Sequence, residues 1–294
     1  MKRYALLVDV ANCSQCHACV LACKDEHYGN DFPPYTAAIK ELGQNWITMR
    51  IDERGSGSKV RSICQPELCR HCAEPQCVAS AGAAVTRRDD GIVLINPSRV
   101  KGNRALVAAC PYNAISWNDE TEQPQKCTLC AHLLDAGETT PRCVEACPNG
   151  TISFGDLNDP GSEVSRLVGL HPELAEQNSV VRYYNIPGRF AVGSVYTSEA
   201  DVAEGALVEL LEEGVPIAHT QTNGFGDFRI EDIPDKASIA HTQTNGFGDF
   251  RIEDIPENER KRYSIRITLE GYNPCLLDVS PAGDTCWEEI LLQR

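Results

Sequence analysis

In CSQCHACVLAC the cysteines fall at positions 13, 16, 19 and 23. Three thiolates at two-residue gaps can face one cube of iron and sulfide. A fourth, three residues on, turns away into a helix and serves a second cube. Cys69, Cys72 and Cys77 (CRHCAEPQC), Cys127 and Cys130 (CTLC), and Cys143 and Cys147 (CVEACP) are partial or stretched forms of this device. Two other chemistries use many cysteines: structural zinc takes paired CxxC units, and secreted frameworks take disulfides. Zinc sites rarely need a C-x2-C-x2-C triplet or a terminal Cys-Pro, so the spacing favours iron–sulfur clusters.

Cys110 stands alone before Pro111, in ALVAACPYNAISW. The chain itself explains it. Setting 100–110 beneath 13–23 without a gap matches Cys110 to Cys23, Ala109 to Ala22, Val107 to Val20 and Ala105 to Ala18. Val100, Asn103 and Leu106 then stand where Cys13, Cys16 and Cys19 stand. Downstream, CPYNAISW pairs with CPNGTISF (147–154) at Cys, Pro, Ile and Ser. Cys110 is thus the last ligand of a motif that has lost its first three. In a two-cube module the last cysteine of one motif ligates the cube held by the other motif's first three. Cys110 is therefore expected to complete the site of Cys69, Cys72 and Cys77. The sister site would have used Val100, Asn103, Leu106 and Ala81, and all four of its ligands are missing together.

The same rule gives Cys147 to Cys13, Cys16 and Cys19, and gives Cys23 to Cys127, Cys130 and Cys143. Three [4Fe-4S] clusters follow. Each is formally a dianion when oxidised and thiolate-bound, so backbone N–H groups and cations should offset it; Lys24, Arg70, Lys126 and Arg142 adjoin ligands. With four cysteines per cube, His17, His71 and His132 are expected to pack or hydrogen-bond rather than ligate. Cys64 is expected to be a reduced spare thiol. Cys275 and Cys286 flank a turn at 280–285; if it closes a hairpin, 275 faces about 289 and 286 faces about 278, leaving both free.

The elements that must position these ligands divide the chain. Thirteen of the fifteen cysteines lie between Cys13 and Cys147, and most of the net charge of −15 lies beyond residue 155. Such acidity argues against nucleic acid and an anionic membrane surface. No run approaches the ~20 apolar residues that span a bilayer, and MKRYALLVDVANC reaches a cysteine too soon for a signal peptide. The expected compartment is the cytoplasm, unless a partner carries the chain elsewhere. The class expected is α+β: a double ferredoxin-like domain with two 4Fe–4S modules over 1–155, a strap over 156–187, and an all-β sandwich over 188–294.

The first 190 or so residues resemble the iron–sulfur electron-transfer subunits of the dimethyl sulfoxide reductase family of molybdopterin oxidoreductases. CSQCHACVLACKDEH, CRHCAEPQC, AACPYNAISWN, QKCTLCAHLLD and RYYNIPGRF carry the resemblance, with DDGIVLINPSRV as the link between the middle motifs. Three cubes plus a C-terminal domain are most similar to the small subunits of the pyrogallol–phloroglucinol transhydroxylases. The resemblance implies a non-catalytic electron wire beside a large catalytic subunit that holds the molybdopterin cofactor, with molybdenum or tungsten, in a complex acting on hydroxylated aromatics. A free-standing polyferredoxin and a zinc-stabilised interaction protein are the alternatives.

Beyond Arg189, short β-prone segments separated by turns read as a sandwich, and GALVEL, TNGFGDFRIEDIP and YSIRITLEGY resemble a carboxypeptidase-regulatory-like or Cna-B module. IAHTQTNGFGDFRIEDIP occurs unchanged at 217–234 and 239–256, a period of 22 residues. A sandwich has room for one such hairpin, so one copy is expected in the sheet and the other as an edge hairpin or loop.

Overall fold

The strand YALLVD near the N-terminus is buried at all six positions, which a strand achieves only with both faces covered. The computed structural model describes residues 2–57, 59–199, 202–220, 249–255, 262–280 and 284–294. It mixes helices with small sheets. The elements begin β1 (Tyr4–Asp9), α1 (Ala18–His27), β2 (Ile47–Arg54), β3 (Arg61–Leu68), α2 (Gln76–Ala81), β4 (Val85–Arg87), β5 (Val93–Ile95) and α3 (Ala105–Ala108). There follow β6 (Ser116–Asn118), β7 (Gln123–Gln125), α4 (Ala131–Asp135), α5 (Arg142–Glu145), β8 (Ile152–Asp156), α6 (Glu163–Leu170), α7 (Pro172–Glu176) and β9 (Val181–Tyr184). The last strands are β10 (Arg189–Thr197), β11 (Leu207–Glu212), β12 (Val215–Thr220), β13 (Asp249–Ile255), β14 (Tyr263–Thr268), β15 (Cys275–Asp278) and β16 (Thr285–Leu292).

Two units emerge, one of residues 1–51 and 63–186, the other of 52–62 and 187–294. The strap expected over 156–187 falls, to residue 186, in the first unit, and residues 52–62, the end of β2 through the start of β3, group with the second. In the first unit β1 lies between β8, antiparallel with Val8 opposite Ile152, and β9, parallel with Leu6 opposite Val181. Strand alternation sends its side chains to two cores. Leu6 and Val8 join a core that contains Cys19, Cys23, Cys69, Cys127 and Cys143. Ala5 and Leu7 join Val164 and Leu167 of α6 and Leu174 of α7. The strap thus covers the back of the strand whose front faces the cysteines. Gly155 permits this, since a Cβ there would sit 2.4 Å from the Ser162 hydroxyl at the entry to α6.

The second unit holds two sheets, β13-β10-β16 and β12-β11-β14-β15. β14 alternates strictly between buried and half-buried residues, and Ile265 and Ile267 share a core with Val208, Leu210, Val195 and Ile290. Arg54 belongs to this unit because its guanidinium donates to both carboxylate oxygens of Asp284, at 2.8 and 2.6 Å, and to Pro187 O. β15 and β16 lie in different sheets, Cys275 opposite Ile267 and Cys286 opposite Val192. The hairpin pairing that placed 275 against 289 is therefore not formed; neither cysteine is in a disulfide. β12 takes residues 217–220 from the first copy of the duplicated segment, and β13 takes 249–255 from the second. The expected placing of one whole copy in the sheet and the other at its edge falls on 221–248, outside the described residues. Among the described residues no helix is long and apolar enough to cross a membrane.

Candidate metal centres

The turn from β1 into α1 carries Cys13 and Cys16, with Cys19 in the first turn of α1, and two residues of the turn, Gln15 and His17, have left-handed backbones at φ 59° and 60°. Side chains rarely adopt this conformation. Alternating right- and left-handed residues turn successive N–H groups to one side, forming a concavity that binds anions and iron–sulfur clusters. Burial raises the pKa of Cys13, and the N–H of Gln15 works against that rise by favouring the thiolate. Burial likewise pushes Cys19 up to about 11, against the N–H of Val20. Cys13, Cys16, Cys19 and Cys147 line one cavity, together with His17, Met49, Pro66 and Thr151.

A second cavity is lined by Cys69, Cys72, Cys77 and Cys110. Its other walls are Arg70, His71, Val93, Tyr112, Ile115 and Lys126. Cys110 accepts a hydrogen bond on its sulfur from Ala114 N–H at 3.4 Å, across a turn in which Asn113 is left-handed. Beside it the counterparts of the missing ligands have become core: Val100 and Leu106, both fully buried, pack in one cluster with Val85, Val93, Ile95 and Ile115, and Ala81, Cys77 and Cys110 lie against it. Asn103 is half-buried.

Cys23, Cys127, Cys130 and Cys143 form the most buried group. Leu129 and Cys130 are left-handed, and Leu129 N–H donates to the Cys127 sulfur at 3.3 Å. Burial pushes Cys127 up to about 12 and Cys130 up to about 11, with Cys69's charge adding to the first. Cys23 and Cys143 stand well above the ordinary thiol value, through burial first and then the charges of Cys127 and Cys130. As bare thiols all four would be neutral at pH 7, so coordination must displace their protons. Cys64 is buried in β3 and lines neither cavity.

The residues beside the ligands take varied roles. Lys24 donates to the carbonyls of Lys40 and Gln44, holding the loop after α1. Arg142 donates to Glu26 at 2.8 Å, and His132 shares that carboxylate at 2.9 Å while stacking on Phe32. Arg70 lies between two rings, 4.8 Å from the centre of Tyr112 and 4.4 Å from that of Tyr183. His71 is fully buried, its Nδ1 accepting from Val93 N–H at 2.9 Å. Sequence reasoning missed the Val93 contact, the Arg70 stack and the left-handed residues. No spacing signals the first two, since the partners are distant in sequence, and glycine marks none of the third.

Four thiolates around a zinc ion stand about 2.3 Å from it and leave no cavity. Here, among the described residues, no three histidine, cysteine or carboxylate side chains converge on a single-ion site, while two sets of four cysteines each line a cavity. With N–H groups on the sulfurs and no competing acidic ligand on those walls, the residues fit thiolate-bound iron–sulfur cubes. Residues 60–157 match the 4Fe-4S dicluster domain family. The chain is 36% identical over 241 residues to the pyrogallol hydroxytransferase small subunit of Pelobacter acidigallici, covering 79% of this chain and 87% of that protein. It is 35% identical over 170 residues to a tetrathionate reductase subunit of Salmonella typhimurium, covering 58% and 64%. It is 34% identical over 178 residues to a sulfite dehydrogenase subunit of Allochromatium vinosum, covering 56% and 73%.

Proposed function

Because the chain belongs to the iron–sulfur electron-transfer subunits of molybdopterin oxidoreductases, with catalysis on a partner subunit, we propose that it carries three [4Fe-4S] clusters for a large molybdopterin-binding subunit. The observation that carries this reading is the sorting of the cysteines: each of two cavities is lined by the four cysteines that the motif rule assigns to it, and no other. The third set is Cys23, Cys127, Cys130 and Cys143. When bound, each cube supplies a one-electron carrier whose potential follows charge, burial and hydrogen bonds to sulfur.

This chain's residues hold and insulate the three sites and fix their order. Lys126, next to Cys127, lines the cavity of the Cys69 set, and Cys23 lies one turn of α1 beyond Cys19. We therefore read the set containing Cys127 and Cys143 as lying between the other two. The Cys69 set ends the line, since Val100 and Leu106 fill the place of a further site. We read the cysteine-bearing unit as two ferredoxin-like modules backed by the strap, and the second unit as a β-sandwich of the Cna-B type.

The complex is read as transhydroxylase-like, acting on hydroxylated aromatics. An alignment of 241 residues is longer than the whole chain up to residue 186, so likeness to the Pelobacter protein extends into the second unit. The 170 residues matched in the tetrathionate reductase subunit need not. Anaerobic isolation from the native source tests the reading. A large molybdopterin subunit that co-purifies stably, and a complex that transfers hydroxyl groups between phenols, are the expected result. A lone soluble chain would contradict the partner and favour a diffusing polyferredoxin.

A further inference from the structure

Lys126 is 3% exposed. Its ammonium donates to Val93 O and to Cys127 O, the second at 3.0 Å. Among the described residues no carboxylate lies within ion-pair distance of it. Burying an ammonium among neutral carbonyls is expensive, and such groups are ordinarily countered by an anion. The lysine lines the cavity of Cys69, Cys72, Cys77 and Cys110, while the carbonyl it holds belongs to Cys127, a member of the neighbouring set. Two of its three N–H donors are used, leaving one for the cavity. Its surroundings fix its position: Val93 receives Lys126 on its carbonyl and offers its N–H to His71, which lines the same cavity.

We infer that Lys126 is a shared counter-charge for two neighbouring clusters, held between the Cys69 and Cys127 sets so that it raises the reduction potential of both and not that of the Cys13 set. The inference rests on the three-cluster reading above. It makes Lys126 a positioning and tuning residue for the electron path rather than a ligand. A positive charge stabilises the reduced, more negative state of a cube, so removing it shifts the potential downward.

The test is a redox titration of the anaerobically isolated complex, followed by electron paramagnetic resonance, for wild type, Lys126→Met and Lys126→Arg. The Cys69-set signal is identified as the one lost in Cys110→Ala. In Lys126→Met two of three potentials should move to more negative values, the Cys69-set signal among them, with the third unmoved. Lys126→Arg, which keeps the charge, should restore both. If Met abolishes cluster assembly and Arg restores it, charge is still the requirement and the proposal stands. It is overturned if the potentials do not move, if all three move together, if one alone moves, or if Arg fails as Met does. Absence of three clusters in the wild type would instead sink the reading on which it rests.

Discussion

At the scale of single residues, Cys110 carries the most specific statement. It lines the cavity of Cys69, Cys72 and Cys77, with Ala114 N–H on its sulfur. Cys110→Ala should cost one cluster of three: iron content should fall by about a third, with two paramagnetic signals intact. Loss of none, or of all, would contradict the ligand pairing. Leu106 is the complementary case. It stands where an erased site would have had a thiolate, and it is fully buried. Leu106→Ala should therefore behave as a core truncation, destabilising the first unit by about 2–5 kcal/mol, as a lowered denaturation midpoint would show. A cost near zero would mean that the apolar cluster does not fill the vacated place. Which cysteines share each of the two cavities could be read from spacing because the motif is periodic in sequence. The N–H groups around the sulfurs could not, because Gln15, His17 and Leu129 take left-handed backbones that ordinarily favour glycine.

At the scale of elements, the hairpin of β4 and β5 does more than connect motifs. Val93 at the start of β5 receives Lys126 and donates to His71, so the hairpin's register fixes the wall of the second cavity. The turn before it depends on Gly91, whose φ is +97° and where a Cβ would meet Val180 Cγ2 at 2.8 Å. Gly91→Ala should destabilise by roughly 1–3 kcal/mol from backbone strain and overpacking. An unchanged thermal midpoint would show that the turn relaxes without cost. The covered strand YALLVD was not read from the sequence, nor was what covers it: the helices of residues 163–176, whose buried Val164, Leu167 and Leu174 face Ala5 and Leu7. The separation of β15 and β16 into two sheets was not readable either, because a turn signal gives a change of direction and not the sheet to which the next strand returns.

For the whole molecule, the duplicated segment poses a question of length. The described strands use 217–220 from one copy and 249–255 from the other. Deleting 221–242 leaves the same sequence as removing one copy outright and spares every described strand. The shortened chain should keep the stability and cluster content of the full one; a second unit that fails to fold would show that both copies are needed. The three-site arrangement is the central claim, and one measurement bears on it most directly. Iron and acid-labile sulfide are quantified in the anaerobically isolated complex, together with Mössbauer spectra of this chain's iron, selectively labelled. The expected result is about twelve iron and twelve sulfide per chain, all in [4Fe-4S] sites. About eight or sixteen iron, or zinc in place of iron, would contradict it.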